Sequence, residues 1–285
     1  MGASMDAQSW MIFKHSMLQP TEHFTYWDSA IVALQVMDHL GIQNAFVFGA
    51  SHGGWIVARM ALLAPDRILG LMLTGTSMDC ESDESRKKGA WNTDQLQLSA
   101  LTEKWYSATP TPSFVIDDGW CEMVHSFGFG KRLTQEQKDF WTSTLKSVYK
   151  GDEGRKKLRV ALICLIERDG LLLRLRDIKC PGTQDKTYPP ALASEHIKLF
   201  TSSKDVKFDV LEGGCHYLTA SHPIEVGDAL KELSLQFWCT LETISLSLNV
   251  RFHRHPPSRP TADGYHYHGV LIPKFGIVYI TISSN

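Results

Sequence analysis

The chain has 285 residues, enough for one sizeable domain or two small ones. Its apolar fraction of 43% and its charged fraction of 21% are typical of a soluble globular protein. A formal net charge of -2, without any basic stripe, argues against nucleic-acid binding.

The six cysteines are widely spaced and form no CxxC pair, which favours reduced intracellular thiols over disulfides or zinc ligands. The first residues of the chain lack the continuous apolar core of a secretory signal. The longest apolar run in the middle of the chain, Val160 to Ile166, is far shorter than the roughly 20 residues of a membrane span. We therefore expect a cytoplasmic protein that does not bind membranes.

The first elements of the chain alternate between helix and strand. Apolar residues at helical spacing predict a helix that Asp28 caps and that runs through Leu40. A strand from Ala45 to Phe48 follows, and it shows no alternation, as expected of a strand covered on both faces. After a serine-containing turn, a helix extends to about Ala64, and Arg67 to Leu73 predicts a second buried strand. This order predicts a parallel sheet with crossover helices.

The middle of the chain changes character. From Met78 to about Asp177 it is polar, rich in aromatic residues and helical in pattern, which predicts an inserted helical cap. Within it, Lys150 to Arg159 is expected to be a solvated charged face. Beyond the cap, the pattern predicts a helix from Ala191 to Phe200, a strand from Val206 to Leu211 and a last helix from about Ile224 to Trp238.

One turn carries a pattern with chemical meaning. The segment GASHG, Gly49 to Gly53, fits G-x-S-x-G, the nucleophile elbow between a strand and a helix. In such an elbow Ser51 takes a strained conformation at the positive end of the following helix, and small neighbours allow the close approach. The backbone N–H of His52 is the expected oxyanion-hole donor. The alternative is a glycine-rich turn without catalytic function.

Two residues further along are candidates for the partners of this serine. Asp185 ends the segment GTQD, and His216 ends the segment GGCH after a predicted strand. The order Ser, Asp, His is the one in which α/β hydrolases place a catalytic triad. In that scheme His216 takes the proton of Ser51, and Asp185 orients the imidazole. The alternatives are a turn aspartate and a loop histidine bonded to the backbone.

These segments resemble a known family. DHLGIQNAFVFGASHGGWIVARMALLAPDRILGLMLTGTS is similar to the elbow block of capped α/β hydrolases, and GTQDKTYPP and LEGGCHYLTASHP are similar to the acid and histidine blocks. The resemblance covers about Ser29 to Trp238 and is nearest to small fungal hydrolases of secondary-metabolite and toxin pathways. It implies an α/β fold with a mostly parallel sheet and a helical cap. It also implies hydrolysis of an ester, thioester or related acyl bond of a small molecule through an acyl-enzyme, without a cofactor.

The sequence departs from this family before the elbow, before the acid block and in its tail. Met1 to Asp28 is too short for the four strands that normally precede the elbow, so we expect an N-terminally truncated sheet without the second oxyanion donor. An apolar strand expected between Cys180-Pro181 and Gly182-Thr183 is missing from the pattern, which would displace Asp185. The expected division is an unassigned segment 1–28, a hydrolase core 29–240 with a cap at about 78–177, and a divergent tail 241–285.

The tail and the departures from the family pattern allow functions other than ester hydrolysis. Two pairs, His253-x-His255 and His266-x-His268, have the spacing of metal ligands on a strand, but no standard ligand set accompanies them, so we expect no metal site. An inactive hydrolase that survives as a binding or interaction protein is one alternative function. An acyltransferase that uses the same triad is another.

Overall fold

The computed structural model describes residues 24–80, 82–90, 97–130, 133–180, 182–184, 190–203, 205–233, 235 and 275–279. Within these residues one sheet of five parallel strands has the order β4-β3-β2-β1-β5. The strands are β1 (Asn44–Ala50), β2 (Ile68–Thr74), β3 (Gly182–Gln184), β4 (Val206–Phe208) and β5 (Phe275–Tyr279). A parallel sheet with connecting helices is confirmed.

Helices connect the strands and fill the segment between β2 and β3. Along the chain, α1 (Tyr26–His39) precedes β1 and α2 (His52–Leu63) follows it. The segment between β2 and β3 holds α3 (Asp83–Lys87), α4 (Leu98–Lys104), α5 (Asp118–Phe129), α6 (Gln135–Val148), α7 (Gly151–Ile166) and a 3-10 helix (Leu172–Asp177). The last helices are α8 (Pro190–Ile197), α9 (Leu218–Ser221) and α10 (223–233).

The first helix begins earlier than the sequence predicts. Thr25 is its N-cap, and the Thr25 side chain accepts a hydrogen bond from the backbone N–H of Asp28. The Asp28 carboxylate in turn accepts from the backbone N–H of Thr25 at 2.8 Å. Asp28 is thus the third helical residue of a capping box and not the cap itself, because the Thr–x–x–Asp spacing satisfies two free N–H groups at once.

Apolar side chains cover both faces of β1. On one face Val47 packs with Trp55 of α2 and Met37 of α1. On the other face Phe48 packs with a cluster that includes Leu233 of α10. A separate apolar cluster, centred on the perpendicular ring contact of Trp105 with Trp120, lies among the helices between β2 and β3. The covered strand that the sequence predicts at β1 is therefore confirmed.

Two expectations need correction. A short strand does exist after Cys180, because Gly182–Gln184 itself pairs with β2 and β4. Arg155 is buried and not part of a solvated face: its guanidinium donates to the carbonyl of Trp105 and pairs with Asp152 at 2.9 Å. The tail contributes β5, which pairs with β1 in parallel register. The four histidines of the tail lie outside the described residues.

Candidate active site

The turn between β1 and α2 has the geometry of a nucleophile elbow. Ser51 has φ 52° and ψ -119°, a positive φ that non-glycine residues rarely adopt. Its backbone N–H donates to the carbonyl of Thr74 at 2.8 Å, which fixes the turn at the carboxyl end of β2. Ser51 therefore lies where β1 ends and α2 begins, at the positive end of that helix.

The glycines of the motif make this turn possible. A Cβ on Gly49 would lie 2.4 Å from the backbone carbonyl group of Gly53, so Gly49 leaves no room for a side chain. A Cβ on Gly54 would lie 2.3 Å from the methyl group of Thr76. Gly49, which the elbow motif predicts to permit a close approach, does so within the turn, and Gly54 permits a second one against the segment after β2.

His216 reaches the serine from the other end of the chain. It lies in the loop between β4 and α9, and its Nε2 is 2.9 Å from the Oγ of Ser51. The same loop is held by the backbone N–H of Tyr217, which donates to the carbonyl of Gly128 in α5 at 2.8 Å. The structure therefore joins two of the predicted site residues, which are 165 positions apart, by a direct hydrogen bond.

Burial sets the protonation state of this histidine. Removal from water disfavours the imidazolium and lowers the pKa of His216 to about 4. The ring is therefore neutral at pH 7, and an unprotonated Nε2 can accept the hydroxyl proton of Ser51. The arrangement is that of a serine paired with a general base.

His52 has a different environment from His216. Its ring is buried, and its Nδ1 lies 2.8 Å from the hydroxyl of Tyr26. Burial, followed by the positive charge of Arg168, lowers the pKa of His52 well below its ordinary value. His52 is the first residue of α2, where backbone N–H groups have no partner within the helix. Its N–H is thus available in the way an oxyanion donor requires.

Two aromatic residues at the site were not predicted from the sequence. Tyr26 packs edge-on against His52 at 5.4 Å between ring centroids, in addition to its hydrogen bond. Phe127, near the end of α5, has its ring centroid 4.8 Å from that of His216. No motif marks either residue, because each reaches the site through packing between elements that are distant in sequence.

The remaining predictions for the site have different outcomes. Asp185 lies outside the described residues, although it directly follows β3 in the chain. Trp55 is buried and stacks on Tyr26, so it packs between α2 and its neighbours. Within the described part of the chain, no group of three or more His, Cys, Asp or Glu side chains is placed to hold a metal ion. No helix in that part is long and apolar enough to cross a membrane.

Comparison with known proteins concerns the fold. A model of the α/β hydrolase fold family matches residues 7–145. An esterase from Thermogutta terrifontis shares 18% identity with a TM-score of 0.58, covering 82% of this chain and 87% of its own. A probable hydrolytic enzyme from Pseudomonas aeruginosa shares 16% identity with a TM-score of 0.55, covering 75% and 71%. An esterase from Exiguobacterium antarcticum shares 17% identity with a TM-score of 0.54, covering 73% of each chain. The sequence matches no curated protein.

The sheet order, the elbow and these likenesses define the class. The chain has the α/β-hydrolase fold, and the resemblance drawn from its sequence is confirmed at the level of fold. The identities are all below 20%, so the likeness extends to architecture and not to substrates.

Proposed function

We propose that this protein is an esterase-like serine hydrolase that cleaves an ester, thioester or related acyl bond of a small molecule. The observation that carries the proposal is the 2.9 Å contact between the Oγ of Ser51 and the Nε2 of a neutral His216. Ser51 occupies a strained elbow, where a hydroxyl at the end of a strand is presented to a ligand.

The reaction then follows from these groups. The Oγ of Ser51 attacks the carbonyl carbon while its proton moves to the Nε2 of His216. The negative charge that develops on the carbonyl oxygen is stabilised by the backbone N–H of His52 and by the positive end of α2. The imidazolium gives its proton to the leaving alcohol or thiol, and water later releases the acyl group by the reverse sequence.

Asp185 is the proposed orienting acid of this triad. It follows β3, and the carboxyl end of β3 lies at the same edge of the sheet as Ser51, because β1, β2 and β3 are parallel. An acid there would accept the proton on Nδ1 of His216 and stabilise the imidazolium. Neither a cofactor nor a metal is needed for this chemistry.

Two other proposals come from the resemblance stated for the sequence. One is a role in a secondary-metabolite pathway of the cytoplasm, and the other is transfer of the acyl group to an acceptor other than water. Hydrolysis and transfer share one acyl-enzyme, so they differ only in which nucleophile enters beside His216. An inactive binding protein is the alternative of a different class.

Ester turnover by matched serine variants tests the proposal. With small esters such as ethyl acetate, Ser51→Ala is expected to reduce kcat/KM by at least about 10³-fold, because the nucleophile is lost. Ser203→Ala, which removes a hydroxyl bonded to the carbonyl of Ile178, is expected to leave kcat/KM unchanged. Turnover that survives in Ser51→Ala, or a folded wild-type protein without any turnover, would contradict the hydrolase proposal.

A further inference from the structure

We propose that Phe127 determines specificity for the alcohol portion of the ester, and that this site takes esters whose leaving alcohol carries an apolar, preferably aromatic group. This inference rests on the proposed function. Among the described residues, two aromatic rings contact the His216 ring: that of the adjacent Tyr217 and that of Phe127.

The position of Phe127 is fixed relative to the catalytic loop. The next residue, Gly128, accepts the backbone hydrogen bond of Tyr217, and a Cβ on Gly128 would lie 2.2 Å from the Tyr217 ring. Phe129 adds a perpendicular ring contact to Tyr217 at 5.1 Å between centroids. The end of α5 is therefore held against the loop that carries His216, and Phe127 cannot shift far without breaking these contacts.

The exposure of Phe127 distinguishes it from a core residue. Its ring is tilted by 53° to the His216 ring, and the residue is 48% exposed. The tryptophans Trp105 and Trp120 are instead buried in the apolar cluster among the helices between β2 and β3. Phe127 thus presents apolar surface beside the general base, where those tryptophans do not.

The chemistry decides which half of the substrate meets this surface. In acylation the bond between Oγ of Ser51 and the carbonyl carbon forms, and the bond from that carbon to the alcohol oxygen breaks. The proton of Ser51 passes to Nε2 of His216 and then to the departing alcohol oxygen. That oxygen must therefore lie within hydrogen-bond reach of Nε2, and its substituent lies beside the His216 ring. The acyl half remains attached to Ser51.

A substrate series with a constant acyl group tests this assignment. We expect Phe127→Ala to lower the ratio of kcat/KM for benzyl acetate to kcat/KM for ethyl acetate by about 3- to 10-fold, the range of one aromatic contact. Phe127→Leu, which keeps apolar surface, is expected to lower it less. Phe140→Ala is the matched control, because Phe140 is 60% exposed in α6 and contacts Trp141, with no ring contact to His216.

A second series varies the acyl group with ethanol as the constant alcohol. The ratio for ethyl butyrate over ethyl acetate is expected to be the same in Phe127→Ala and in the wild type. An unchanged benzyl-to-ethyl ratio in Phe127→Ala, or a change confined to the acyl series, would overturn the assignment of Phe127. Ester turnover by the same proteins would still support the proposed hydrolase function. Absence of turnover together with absence of fluorophosphonate labelling of Ser51 would instead overturn the proposed function, and this inference with it.

Discussion

At the residue scale, the protonation state of His216 controls the proposed chemistry. Only the neutral ring can accept the proton of Ser51, and burial keeps the ring neutral by lowering its pKa to about 4. An exposed histidine would lose its base function near pH 6.5, the ordinary pKa of the side chain. The lowered pKa of His216 therefore extends the pH range in which the serine is activated.

The pH profile of kcat/KM measures this effect. We expect the acid limb to have its midpoint near pH 4 in Asp185→Asn, where burial acts on His216 alone, and at a higher pH in the wild type, where the proposed Asp185 carboxylate stabilises the imidazolium. The profile is to be recorded with a neutral ester, so that substrate ionisation does not contribute. A midpoint at pH 6 to 7 in Asp185→Asn would contradict the lowered pKa of His216, and equal midpoints in the two proteins would contradict the proposed place of Asp185.

Stability responds to the same shift with a defined sign. Between pH 6.5 and about pH 4 the unfolded chain binds a proton at His216 that the folded chain does not, so the free energy of unfolding falls as the pH falls through this window. Burial also lowers the pKa of His52, His125 and His196. These three histidines also lower the free energy of unfolding as the pH falls. Below about pH 4, His216 contributes no further change to the free energy of unfolding.

The residues of the site differ in how far sequence can predict them. Ser51 and His216 are predictable, because a nucleophile elbow and a histidine after a late strand occur in a fixed order along the chain. Tyr26 and Phe127 are not, since their contacts arise from the packing of α1 and α5 on the site. Arg155 was misjudged for the same reason: its charged segment indicates solvent, but its partners come from other elements.

At the element scale, the contact between α5 and the loop that carries His216 is sensitive to the addition of a single methyl group. Gly128→Ala would bring a methyl group within 2.2 Å of the Tyr217 ring, so the loop must shift and the contact of His216 with Ser51 is lost or lengthened. We expect kcat/KM to fall by about 10²-fold, the scale of an ångström displacement at a catalytic group, and stability to fall by about 1–3 kcal/mol.

A second glycine provides the matched control. Gly227 lies in α10, and a Cβ there would meet no atom within 4 Å. Gly227→Ala is therefore expected to leave kcat/KM unchanged and to raise stability by about 0.5–1 kcal/mol through helix propensity. Thermal unfolding and ester turnover of both variants check the pair. Equal effects of the two substitutions would show that α5 does not position the catalytic loop.

At the scale of the whole molecule, the sheet depends on strands from distant parts of the chain. The strands β1 and β2 follow each other in sequence and were predicted, because their apolar runs and intervening helix form one local unit. The pairing of β5 with β1 joins segments more than 220 positions apart, which no local pattern reveals. The short β3 was missed because three residues are too few to show a periodicity.

The place of β5 next to β1 leads to a prediction about association. Removal of residues 275–285 would expose the backbone edge of β1, the strand that leads into Ser51. We expect the shortened protein to self-associate and to unfold at a lower temperature, because an unpaired strand edge recruits other chains. Removal of 280–285 alone is the control. Size-exclusion chromatography that shows a monomer of unchanged stability after the larger deletion would contradict the pairing.

The central claim is that His216 activates Ser51, and covalent labelling tests it most directly. Folded, monodisperse wild-type protein and His216→Ala would be treated with a fluorophosphonate, and the adduct on Ser51 would be detected by mass spectrometry. The geometry predicts labelling of the wild type and its loss in His216→Ala, because the base 2.9 Å from Oγ is removed. A folded wild-type protein without an adduct, or equal labelling of both proteins, would contradict the claim.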